Sequence, residues 1–187
     1  MLKHNINRYF PVSNQSSREF NCVFKDFAAP VLQSGKLRQT NGYIQHGTTS
    51  CYSHSISVAY HSLRLADSLG INCDFGSLVV GALLHDYYLY DWHCKDASHR
   101  LHGFRHPKIA LINAMQDFDL NPVEQNIIMR HMFPLTPIPP KYMESLIVCL
   151  TDKFCSLAET MHIDVLPPLG SEDILKSDES DKDTFDS

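Results

Sequence analysis

The chain lacks most of the features that would take it out of the soluble globular class. No stretch of its 187 residues approaches the ~20 consecutive apolar residues of a membrane-spanning helix. The first residues, Met1-Leu2-Lys3-His4-Asn5, lack the apolar run of a secretory signal, so a cytoplasmic location with no membrane role is expected. The six cysteines form no Cys-x-x-Cys pair and read as reduced thiols. There is no excess of positive charge either. The net charge is -5, which removes the electrostatic footprint of a nucleic-acid binder. That charge is local, because residues 171–187 hold seven acidic residues against Lys176 and Lys182, leaving residues 1–170 formally neutral. Internal repeats are absent, strand-like runs are few, and no βα alternation appears, so the fold class expected is all-α.

What the chain does have is histidine, 11 of them, on an otherwise ordinary background of 43% apolar and 20% charged residues. Their positions follow from the helices. Residues 1–50 read as an N-terminal extension packed on the core. Phe20 to Phe27 fits a short helix or a strand, and residues 31–47 read as a helix running into a polar loop. A helix over residues 53–69 places His54, Val58, His61, Leu65 and Leu69 on one side, with Ile56, Ala59, Leu63 and Ala66 widening the apolar arc. Gly70 ends it. The next helix starts after Asp74, a good N-cap, is apolar nearly all round, and ends in His85-Asp86. A third helix is expected from His106, with Pro107 in its first turn and Ile109, Ile112, Met115 and Phe118 as its apolar stripe. A fourth follows Asn121, with Pro122 at its start and Glu124 completing a capping box, and it puts His131 on the buried face beside Ile127 and Ile128. Four prolines at positions 134–140 interrupt the chain. A fifth helix from Pro140 to about Met161 carries Met143, Ile147, Leu150, Phe154, Leu157 and Met161 as a core stripe, with Asp152 on a neighbouring stripe beside Val148, Cys155 and Glu159. The helical domain closes near residue 170, and residues 171–187 read as a disordered acidic tail.

A lone histidine on a helix is more often a core or surface residue than a ligand. Here, however, His54, His85, Asp86, His106, His131 and Asp152 lie on five predicted helices, each at or beside an apolar face. Six such groups buried without partners would cost several kcal/mol each. A divalent metal satisfies imidazole and carboxylate together.

The order His … His-Asp … Asp resembles the signature of the HD-domain phosphohydrolases over about residues 50–160. It is carried by His54 in Ser53-His54-Ser55-Ile56, by Gly81-Ala82-Leu83-Leu84-His85-Asp86, and by Asp152 in Cys149-Leu150-Thr151-Asp152-Lys153. The resemblance implies an HD-type helical bundle with one metal held by His54, His85, Asp86 and Asp152. His106 and His131 stand where the two-metal members of that family place the ligands of a second ion, and the resemblance makes Asp86 the bridge. The HD-GYP cyclic dinucleotide phosphodiesterases and the symmetrical diadenosine tetraphosphate hydrolases have a similar layout. Only the metal set carries over, since no Lys follows the His85-Asp86 pair closely and no Gly-Tyr-Pro motif is present.

One or two divalent ions are thus expected, with iron, manganese, zinc, cobalt or nickel better matched to this many imidazoles than magnesium. The expected activity is hydrolysis of a small phosphorylated, nucleotide-like substrate by metal-activated hydroxide attack on phosphorus. Asp86 would act at the metals, and His61 or His93 is the candidate general acid for the leaving oxygen. Arg105, Arg130 and Lys153, each next to a ligand in sequence, are candidate substrate-binding cations. His46, His99 and His102 fall in predicted loops. Two other classes remain open at this point. One is a non-catalytic module that binds a nucleotide or a protein, and the other is a di-iron oxygenase on the same scaffold. Metal content, phosphoester hydrolysis and spectroscopy separate the three.

Overall fold

The computed structural model describes residues 17–89, 102–167 and 169. These residues are mostly helical. In chain order they form α1 (Ser17–Leu32), α2 (Lys36–Gln39), a 3-10 turn (Thr40–Gly42), β1 (Ile44–His46), β2 (Thr49–Ser50), α3 (Cys51–Ser68), α4 (Phe75–Leu84), α5 (His102–Asp117), α6 (Pro122–Arg130) and α7 (Met143–Thr160). The expected acidic tail lies outside the described residues, as do His93 and His99.

Local chemistry explains most of the boundaries. Ser50 caps α3 by accepting from the Ser53 N–H at 3.1 Å, and Gly70 follows its C-cap at φ 61°, a left-handed position that suits glycine. Asp74 caps α4 through the Ser77 N–H, also at 3.1 Å. At α6 the Asn121 side chain accepts from the Val123 and Glu124 N–H groups, while the Glu124 carboxylate accepts from the Asn121 N–H at 2.8 Å, closing the expected capping box.

One open choice is decided and three expectations are corrected. Phe20 to Phe27 lies inside one long helix, α1. The helix expected over residues 31–47 is broken instead into the end of α1, the short α2, a 3-10 turn and strand β1. Gly35 at φ 69° stops the first part, and Gly47 at φ 57° turns the two-stranded hairpin. α5 begins at His102, not His106, so Pro107 sits a full turn inside it, where it has no N–H to offer the Gly103 carbonyl. α7 begins at Met143, not Pro140.

α4 is the central helix and packs against α1, α3, α6 and α7. Leu78, Val79, Ala82, Leu83 and Leu84 are fully buried on it. Its approach to α6 is set by Gly81, where an added Cβ would fall 2.5 Å from Ile127 Cδ1 and 2.9 Å from Ile127 Cβ. Gly81→Ala is therefore expected to destabilise by about 1–3 kcal/mol through overpacking, against the small gain that alanine brings to a helix. A thermal melt that leaves Tm unchanged would contradict this.

The two expected core stripes are also corrected. On α7 only Ile147 of the stripe is buried, whereas Leu150, Phe154, Leu157 and Met161 are 55–62% exposed. The inward face is instead Ile147, Val148, Thr151, Asp152, Cys155, Ala158 and Glu159. On α5 the buried residues are His106, Pro107, Ala110 and Ala114, while Ile112 and Met115 are about half exposed. In both helices the face carrying His or carboxylate groups turns inward, because those groups meet partners from other helices there.

Candidate metal centre

The six expected ligands converge. His54 comes from α3, His85 from the C-cap of α4 with Asp86 next to it, His106 from α5, His131 from the C-cap of α6 and Asp152 from α7. All six are buried, with His54, His85 and His131 fully so. They form two groups, His54/His85/Asp152 and Asp86/His106/His131, each with ligand atoms within 4.8 Å of one another. Asp86 faces both groups. Its Oδ2 lies 3.4 Å from His85 Nε2, and its Oδ1 lies 3.2 Å from His106 Nε2 and 3.5 Å from His131 Nε2. In the first group Asp152 Oδ1 is 3.2 Å from His54 Nε2 and 3.6 Å from His85 Nε2.

The imidazoles are held so that Nε2 points inward. His85 Nδ1 donates to the Ala82 carbonyl at 2.7 Å and His131 Nδ1 to the Ile128 carbonyl at 2.8 Å. His54 Nδ1 faces the Glu159 carboxylate at 2.8 Å. An acceptor on Nδ1 fixes the tautomer and leaves the Nε2 lone pair for a metal.

Two polar atoms at the centre are not satisfied by the protein. His85 Nε2 and Asp86 Oδ1 are buried without a hydrogen-bond partner. His106 and His131 hydrogen-bond through their Nε2 atoms at 2.8 Å. Buried polar atoms without partners, as at His85 and Asp86, are costly, and a divalent cation beside them would remove the cost. The donor set, imidazole and carboxylate only, fits the borderline divalent ions expected.

The electrostatics of the protein groups point the same way. Burial pushes the Asp86 and Asp152 carboxyls up, but the surrounding imidazoles outweigh it and hold both well below the usual carboxylate range. Burial pushes His54 down, but Asp152 and Glu159 carry it up to about 9. Burial, reinforced by His85 and His106, brings His131 down to about 3, so it is a neutral imidazole.

A cavity of about 710 Å³ opens on this centre and is lined by Asp86, His106, His131 and Asp152 together with Gln45 and Lys153, on an otherwise largely apolar wall. Of the three candidate substrate cations only Lys153 lines it. Its ammonium donates to the His131 and Cys149 carbonyls at 2.9 and 3.1 Å and so braces the end of α6. Arg105 is exposed on α5 and Arg130 is half-buried in the last turn of α6. His61 is not brought to the centre. Its Nε2 donates to the Val165 carbonyl at 2.8 Å and ties down the segment after α7, which suits a structural role. The other candidate acid, His93, lies outside the described residues. His46 sits in β1 and His102 opens α5.

Three residues escaped the sequence reading as parts of the site. Glu159 holds His54 from behind, and its position two turns after Asp152 was the available signal. Gln45 reaches in from β1 to donate to Asp86 Oδ2, and Tyr88 donates in turn to the Gln45 amide oxygen. Nothing local marks a hairpin glutamine for this role. Glu159→Ala is expected to weaken metal binding by roughly 10–100-fold, the usual loss when a ligand's supporting partner goes, with Glu159→Gln intermediate because it keeps an acceptor. A chelator-competition titration checks this, and equal affinity in all three proteins would refute it.

No family model matches the chain, and no curated protein or solved structure matches it. What stands is a helical protein with two buried His/Asp groups that could each hold a metal ion.

Proposed function

We propose that the protein is a metal-dependent phosphohydrolase of HD-domain type, acting on a small phosphorylated, nucleotide-like substrate. The observation that carries this reading is that Asp86, a member of one three-residue group, also turns its other oxygen to His85 of the second group, which suits a carboxylate shared by two ions. Divalent ions held there would supply Lewis acidity at phosphoryl oxygens and a water of lowered pKa.

The chain's own residues would do the rest. His54, His85 and Asp152 would hold one ion, His106 and His131 the other, and Asp86 both. The Nδ1 contacts of His54, His85 and His131 keep each ring's Nε2 aimed inward before any metal arrives, so little reorganisation of the rings is needed. The cavity exceeds what inorganic phosphate needs and leaves room for an organic group beside Met132, Pro134 and Leu135. Lys153 adds positive charge at its wall.

The test is elemental analysis of the purified protein, then hydrolysis assays on a panel of mono-, di- and cyclic nucleotides. One or two transition-metal ions per chain and phosphate release that a chelator abolishes are the expected results. A metal-replete protein that cleaves no phosphoester but consumes oxygen would move the reading to an oxygenase. A metal-free protein that binds a nucleotide without turnover would move it to a regulatory module.

A further inference from the structure

The outward face of α7 is far more apolar than a solvated helix face requires. Met143, Leu146, Leu150, Phe154, Leu157 and Met161 are 41–62% exposed, and Ile163 and Leu166, in the segment that follows the helix, are 53% and 55% exposed. The largest apolar patch of an ordinary monomer covers about 300–600 Å². A stable interface takes about 800 Å² from each partner, and eight large side chains at this exposure offer an area of that order.

The order of these residues identifies the partner. Reversing α7 about the level of residue 152 sets Met143 against Met161 and Leu150 against Phe154, and brings Leu146 and Leu157 within one residue of each other. The same reversal brings Lys141, just before the helix, within one residue of Asp164, just beyond it, and both are exposed. Each exposed apolar residue of the helix thus falls at or within one residue of another, and the flanking charges are opposite in sign. A two-fold interface demands this self-complementarity, whereas an unrelated partner does not.

We infer that α7 is the interface of a homodimer in which two copies pair antiparallel across this stripe. The three- and four-residue steps are those of side chains that interlock between paired helices. A surface groove of about 450 Å³ beside Phe154, lined by Arg64, Leu65, Leu150 and Thr151, receives the Phe154 ring of the second copy. The inward face, with Asp152 and Glu159, is left as it is, so pairing and metal binding are separable.

Sedimentation velocity and light scattering on the full chain test this. The expected mass is twice 21.3 kDa. Leu150→Glu with Leu157→Glu is expected to give a folded monomer with unchanged metal content. Lys141→Glu is expected to weaken association several-fold, and adding Asp164→Lys to restore it. Should the leucine variant fail to fold, the surface charge exchange still decides. A wild-type chain that stays monomeric at high micromolar concentration overturns the inference, whether its own segments or another protein cover the stripe. A dimer indifferent to the leucine substitutions, or a charge exchange that does not restore pairing, overturns it equally.

Discussion

On the proposed function, Asp86→Ala is expected to abolish binding of both proposed ions and to lower phosphoester hydrolysis by at least about 10²–10³-fold, the range for loss of one preorganised charge-stabilising group. The reason is geometric. One carboxylate oxygen lies within reach of His85 and the other within reach of His106 and His131, so neither three-residue group keeps its shared anion when the side chain goes. The stripped protein should suffer as well. Removing one partner of a buried, charge-paired cluster costs about 3–5 kcal/mol because the others stay behind uncompensated. Asp86→Asn separates the two effects, since it keeps the shape and removes the charge. Metal analysis, circular dichroism and kcat measured on the same preparations form the check. A folded, metal-replete and active Asp86→Ala protein would end the bridging assignment.

Metal affinity is expected to rise steeply with pH. In the metal-free protein His54 is carried up to about 9 and His85 well above its ordinary value. Burial opposes both shifts. It is outweighed at His54 by hydrogen bonds to Asp152 and Glu159, and at His85 by Asp86 and then Asp152. Below that range each imidazole holds a proton that a metal must displace, so apparent affinity should gain about tenfold per pH unit for each proton released. The gain from His54 should level off near pH 9. The sign for the stripped protein is complementary. A raised histidine stabilises the fold below its unfolded value and loses that contribution as pH climbs through its folded value. His131, brought down to about 3, does the opposite and costs stability as pH falls from 6.5 toward 3. Melting curves with and without chelator across this range should therefore diverge as pH rises, because bound metal stabilises in proportion to the logarithm of its affinity. Parallel curves would mean that protons and metal do not compete at these imidazoles.

The starts of α4 and α6 and the stop of α3 were legible in the chain because they depend on atoms a few residues apart. Asp74, the Asn121–Glu124 box and Gly70 act through their own neighbouring N–H groups and backbone angles, whatever the rest of the molecule does. The six candidate ligands were legible for another reason. Buried histidines and aspartates need partners, and their spacing left one helix between each. The faces of α5 and α7 were not legible. Each helix carries two apolar stripes within reach of the core, and periodicity reports that a stripe exists without saying which neighbour meets it. The inward turn of α7 follows from Asp152 and Glu159 finding His54, about a hundred positions away along the chain. Gln45 and Tyr88 likewise became part of the site only when the β1 hairpin was laid beside the end of α4. Local hydrogen bonding is written into adjacent residues. Which faces are buried and which side chains steady the ligands depends on contacts between segments distant in sequence, and only the packed fold sets those.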